Sequence, residues 1–102
     1  HTEAVWVKMK DDPTPEEVRK AMLEFDPQLG DLPTSPKKAL IVKDELDRPQ
    51  PRLDRNRGNG MSVSVGRIRS GIRFICMGHN TIRGAAGASI LNAELLVKKG
   101  ML

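Results

Sequence analysis

Four sets of residues in this 102-residue chain carry side chains or backbone that could do chemistry. The first is His1, whose imidazole titrates close to neutral pH and can take and return a proton with little energetic penalty. Its plain alternative is a disordered terminal residue. The second is the turn around Asn80, Thr81 and Gly84, where an apolar run stops and a helical pattern begins. A side-chain amide such as Asn80 offers both a donor and an acceptor. Gly84 and Gly87, three residues apart beside Ala88, leave one side of the helix start almost without bulk. Another backbone or a flat ligand could come close there, and a helix N-terminus favours an anion. Plain helix-on-sheet packing through small residues explains the same glycines. The third set is Arg48, Arg52, Arg55 and Arg57, opposed by Asp44, Glu45, Asp47 and Asp54. It reads as a solvated loop of mixed charge, as a bidentate site for phosphate or carboxylate, or as a subunit contact. The fourth, Cys76, lies within an apolar run, where burial raises a thiol pKa and makes the group inert.

These residues need elements to hold them. Thr2 to Lys10 alternates as a strand, with Val5, Val7 and Met9 on one face and Thr2, Ala4, Trp6 and Lys8 on the other. Trp6 among smaller residues implies that both faces are at least partly covered. Asp11-Asp12-Pro13 ends the strand. Thr14, Pro15 and Glu17 then form a capping box, and Val18, Ala21, Met22 and Phe25 follow at helical spacing up to about Asp26-Pro27. Residues 26 to 38 hold three prolines and a glycine and read as an ordered loop. Leu40 to Val42 make a brief strand. In the stretch Asp44 to Gly60, Pro49 and Pro51 favour extended polyproline conformation, and Asn56, Gly58, Asn59 and Gly60 favour turns. Met61, Val63 and Val65 alternate along a further strand, which Arg69-Ser70-Gly71 joins tightly to the apolar run at Ile72–Met77. The spacing predicts an antiparallel hairpin whose second strand is buried on both faces. Asn80 or Thr81 should cap a final helix that presents Ile82, Ala86, Ile90, Ala93 and Val97, widened by Leu91 and Leu95. The order strand, helix, strand, strand, strand, helix gives an α+β class with a mixed or antiparallel sheet and two helices. No internal repeat or low-complexity tract interrupts it.

Three stretches resemble one family. His79-Asn80-Thr81-Ile82-Arg83-Gly84-Ala85-Ala86-Gly87 with Leu91-Asn92-Ala93-Glu94-Leu95 is similar to the C-terminal helix of aspartate-semialdehyde dehydrogenases of the archaeal and fungal branch. Asp47 to Arg55 with Gly58 to Met61, and His1 to Val5, agree with it. The resemblance implies the C-terminal part of a longer enzyme, in keeping with a chain that opens on His and not on Met. Its fold would be part of a glyceraldehyde-3-phosphate-dehydrogenase-like catalytic domain. Residues 1–80 would belong to the catalytic and dimerisation domain, and residues 81–102 to a terminal helix packed on a dinucleotide-binding domain that lies outside this sequence. The enzyme so implied reduces aspartyl 4-phosphate to aspartate 4-semialdehyde with NADPH, releasing phosphate, in the biosynthesis of lysine, methionine and threonine. His1 would be its catalytic acid–base, and Asn80, Thr81 and Gly84 would face the cofactor. The nucleophilic cysteine and the substrate-binding arginine would lie upstream, so the chain alone is expected to be inactive. A homodimer or homotetramer is implied. Family members carry a longer connection than Arg69-Ser70-Gly71.

Composition narrows the rivals. A single cysteine rules out an internal disulfide and suits a reducing, cytoplasmic setting. No apolar run approaches 18 residues and no signal peptide is visible, so no membrane partner is expected. The net charge of +4 admits a nucleic-acid partner, but no aromatic residue interleaves the arginines between Lys37 and Arg73, so none is expected. No metal site is expected. A malonyl-CoA reductase on the same scaffold, or a non-catalytic dimerisation or basic binding module, are the alternative readings.

Overall fold

The computed structural model describes all 102 residues. Its elements are β1 (Thr2–Trp6), α1 (Pro15–Glu24), β2 (Leu40–Lys43), α2 (Pro51–Asp54), β3 (Val63–Arg69), β4 (Arg73–Met77) and α3 (Gly87–Lys98). A wide π-type turn, Ile82–Ala86, leads into α3. The four strands form one mixed sheet in the order β1-β4-β3-β2. β4 is antiparallel to both β1 and β3, whereas β2 runs parallel to β3. The α+β class and the β3–β4 hairpin agree with the sequence reading.

α1 starts as its residues dictate. The Thr14 hydroxyl accepts from the Glu17 N–H at 3.2 Å, and a Glu17 carboxylate oxygen accepts from the Thr14 N–H at 2.8 Å. Pro15 sits at the first helical position, where no N–H is needed. Val18 is the residue α1 buries.

Four expectations need correction. There are three helices, not two, because Pro51 and Asp54 form α2 within a segment read as extended and irregular. A proline's fixed φ suits the first turn of a helix as well as a polyproline stretch, and Asp54 ties this turn shut. β1 ends at Trp6 rather than Lys10, since its partner β4 begins at Arg73, opposite Trp6. Trp6 is 80% exposed, so the sheet is not covered on both faces there. β4 is likewise only half-buried through Phe74, Ile75 and Cys76, and Met77 alone of its residues is fully enclosed.

The fourth correction concerns the final helix. Neither Asn80 nor Thr81 caps it: Thr81 has helical φ/ψ and makes no side-chain cap bond. Ala85 leaves the helical region at φ −147°, ψ −106°, so regular α-helix begins only at Gly87. Gly87 takes the packing explanation, because a Cβ there would collide with the Met61 sulfur and lie 2.8 Å from the Ile82 carbonyl oxygen. Leu91 is buried, which stabilises by about 1.5–3 kcal/mol. The other side of α3 stays open, with Ile90 and Val97 exposed. Glu94 accepts from the Thr34 N–H and hydroxyl at 3.0 and 2.8 Å, and Lys98 donates to the Leu29 carbonyl at 3.0 Å. Those bonds order the proline-rich loop of residues 26–38.

The shape follows from this one-layer arrangement. Only 12 residues are buried, and the molecule measures 43 × 32 × 19 Å. Its radius of gyration, 14.7 Å, exceeds the roughly 13 Å of a compact domain this long. The β3–β4 connection is tight enough to force Ile72, a buried β-branched residue, to φ +49°.

Candidate active-site cleft

His1 is held, not loose. Its main-chain nitrogen donates to the Gly78 carbonyl, and the Gly78 N–H donates back to the His1 carbonyl, both at 3.0 Å. The chain's first residue thus continues the β1–β4 ladder by one row. Residues i and i+2 of a strand share a face, so Glu3 stands on the side of His1. Its Oε1 lies 3.1 Å from His1 Nε2. The register sets Glu3 opposite Cys76.

The turn after β4 closes the other wall. His79 begins it by a device the sequence reading did not foresee. Its Nδ1 accepts from the Ile82 N–H at 3.3 Å and lies 3.4 Å from the Thr81 hydroxyl, while its carbonyl accepts from the Gly84 N–H at 2.9 Å. The ring caps the turn in place of Asn80 or Thr81, which leaves the exposed Asn80 amide free of hydrogen bonds to the protein. Gly84 differs from Gly87: a Cβ there would meet only the His79 carbonyl oxygen, at an ordinary 3.6 Å. Packing therefore does not require Gly84 to be glycine.

The result is one cleft of about 250 Å³ that gathers His1, Glu3, Val63, Cys76, Met77, Gly78, His79, Asn80, Arg83 and Gly84. Of the sequence-derived site residues, it brings together His1, Asn80 and Gly84 from opposite ends of the chain. Thr81 lies just outside, its hydroxyl turned to His79. Two residues were missed. Glu3 was legible through the i, i+2 rule, whereas the place of Arg83, which makes no ion pair, depends on how the turn kinks. Cys76 behaves as read: burial, and next the Glu3 charge, push its thiol pKa up, away from a reactive thiolate. A larger cleft of about 730 Å³ lies between the end of α1 and the loop 26–40, but it holds no imidazole, thiol or arginine.

The arginine loop is a different kind of object. Arg48 Nε donates to Asp54 Oδ2 at 2.7 Å and Nη2 donates to Oδ1, a bidentate pair, and the Gln50 N–H adds a bond at 2.8 Å. Asp54 is fully buried. The Arg48 hydrogen bonds outweigh desolvation and hold its carboxyl at about 2, with Gln50 and the Arg48 and Arg57 charges helping. Gly66 lets this loop lie against β3, for a Cβ there would strike the Arg48 carbonyl oxygen. Arg48 is thus a bidentate carboxylate site whose carboxylate is internal.

No helix is long and apolar enough to cross a membrane. Residues 1–83 match the family model described as semialdehyde dehydrogenase, dimerisation domain. The chain is 57% identical over 106 residues to an aspartate-semialdehyde dehydrogenase of Archaeoglobus fulgidus, covering all of itself and 30% of that relative. It is 46% identical over 110 residues to a malonyl CoA reductase (NADP) of Metallosphaera sedula, covering 31% of it. The crystal structure of aspartate semialdehyde dehydrogenase with NADP from Candida albicans matches 99% of this chain and 30% of its own, with a TM-score of 0.81 at 41% identity. The chain therefore spans under a third of the length of these relatives. With the family model matching most of its length, the chain belongs to the semialdehyde dehydrogenase dimerisation-domain family.

Proposed function

We propose that this chain forms the dimerisation part of an NADP-dependent aspartate-semialdehyde dehydrogenase, with His1 as its acid–base and the Asn80–Gly84 turn as its nicotinamide-facing wall. The observation that carries this reading is the single cleft in which His1 meets Asn80 and Gly84. The residues present suit the cofactor. Asn80 has an uncommitted amide to match a carboxamide, and Gly84 leaves room for a flat ring. NADPH, when bound, supplies the hydride. His1 takes the proton of the attacking thiol, which belongs to the polypeptide upstream, and returns it when that thiolate leaves. Phosphate departs, and aspartate 4-semialdehyde is the product. Residues 1–80 belong to the dimerising catalytic part, and residues 81–102 to a segment whose exposed Ile90 and Val97 meet the cofactor domain. The enzyme works as a homodimer or homotetramer in the cytoplasm, where Cys76 stays a thiol.

The second reading is malonyl-CoA reduction with the same cofactor, favoured by the Metallosphaera relative. The test is NADPH oxidation by the enzyme that contains this chain, offered aspartyl 4-phosphate or malonyl-CoA. Turnover of aspartyl phosphate is expected. Turnover of malonyl-CoA alone selects the second reading, and turnover of neither rejects both.

A further inference from the structure

We infer that Glu3 is a positioning residue for His1, an inference that rests on His1 being the proton carrier. The Glu3 carboxylate accepts from His1 Nε2–H, which orients the ring and leaves Nδ1 as its lone-pair atom. Three observations meet here. The distance is 3.1 Å. Main-chain bonds to Gly78 fix His1, and the ladder fixes Glu3 opposite Cys76, so neither backbone needs to be ordered for the pair to form. His1 is also the one ion-pair partner Glu3 has, although Arg83 lines the same cleft.

The other titratable or charged groups facing the pair are Cys76 of β4 and His79 and Arg83 of the turn. Arg83 is the only fixed cation among them, and it makes no salt bridge. A carboxylate beside the imidazole favours the imidazolium that forms when His1 accepts a proton. It does so without raising stability much, since both side chains are more than half exposed, at 63% and 60%. Glu3 therefore acts on the proton carrier more than on the fold.

The test compares Glu3→Ala, Glu3→Gln and His1→Asn in the enzyme that contains this chain. Glu3→Ala should lower kcat about tenfold or more, a part of the roughly 10²–10⁴ that a positioned acid–base contributes. Melting temperature and cofactor KM should stay unchanged. Glu3→Gln keeps an acceptor oxygen and drops the charge. It should recover most of kcat while moving the acidic limb of the kcat/KM profile to lower pH, because the charge no longer favours the protonated ring. Wild-type kcat in both Glu3 variants, or a loss with an unmoved limb, overturns the role of Glu3. His1→Asn separates the two claims. If it abolishes turnover while the Glu3 variants are silent, only the Glu3 inference fails. If it leaves turnover intact, the acid–base reading itself fails.

Discussion

Two of the regions that hold arginine, carboxylate or imidazole side chains at hydrogen-bonding distance do opposite things with them. In the loop around Arg48 and Asp54 the polar groups satisfy one another. A buried carboxylate accepts two bonds from one guanidinium and one from the Gln50 N–H, and the carboxyl pKa falls to about 2. In the cleft around His1 and Asn80 the groups are left incomplete. The imidazole has one partner, the amide of Asn80 and the Arg83 guanidinium have none, and Gly84 keeps space beside them. The difference teaches how to tell a saturated polar cluster from one with groups left to bind. The loop's arginines admitted a bidentate site for phosphate or carboxylate, yet saturation of the Arg48–Asp54 hydrogen bonds makes that pair a fastening. The cleft, poorer in charge, has donors and acceptors still to offer.

Breaking the fastening should have the largest effect. Asp54→Ala leaves the half-buried Arg48 guanidinium with only Glu45 at 3.8 Å and the Gln50 N–H without its acceptor, which should cost about 1–3 kcal/mol. Urea unfolding measures this. A loss below about 1 kcal/mol would show that the pair is ornamental and blur the contrast with the cleft. On the other side, His1→Asn should lower kcat roughly 10²-fold or more at unchanged unfolding midpoint, assayed in the enzyme that contains the chain. The contrast is thus one of stability against rate.

Acid sharpens the comparison. A carboxyl whose folded pKa lies at about 2, below its ordinary 3.8, contributes stability above the ordinary value and loses it as pH falls toward 2. Unfolding midpoints should therefore drop between about pH 4 and pH 2, and Asp54→Asn should flatten that drop. An unchanged slope in the Asn variant would remove Asp54 from the account of acid stability.

Smaller effects probe the cleft's second wall. Because Asn80 caps nothing, Asn80→Ser should leave stability unaltered while raising the NADPH KM roughly tenfold, the loss of one buried hydrogen bond. An unaltered KM would take Asn80 off the cofactor. His79→Ala removes the acceptor of the Ile82 N–H and should cost about 1 kcal/mol, as other lost caps do. If it costs nothing by urea unfolding, the ring is not what starts the turn.

Local chemistry made several features legible without a structure. The Thr14 capping box, the β3–β4 hairpin and the inert Cys76 each depend on residues close in sequence or on one side chain's surroundings along a strand. His1, Asn80 and Gly84 were nameable through the resemblance of their flanking residues. What the chain's order could not reveal depends on partners distant in sequence. β1 stops at Trp6 because β4 begins opposite it at Arg73, and past that pair the Val7 N–H reaches only the Ile72 carbonyl in the turn. β2 runs parallel to β3 because a crossover carries it there, and no local signal encodes that. Gly84 and Gly87 look alike in sequence, and only the placement of Met61 under one and open space beside the other separates them. The capping role passed from Asn80 and Thr81 to His79 because the turn is wider than an α-helical one, which brings an imidazole one residue earlier over the free N–H. Residue types set what each group could do, and the sheet decided which of them would be left unsatisfied in the same cleft.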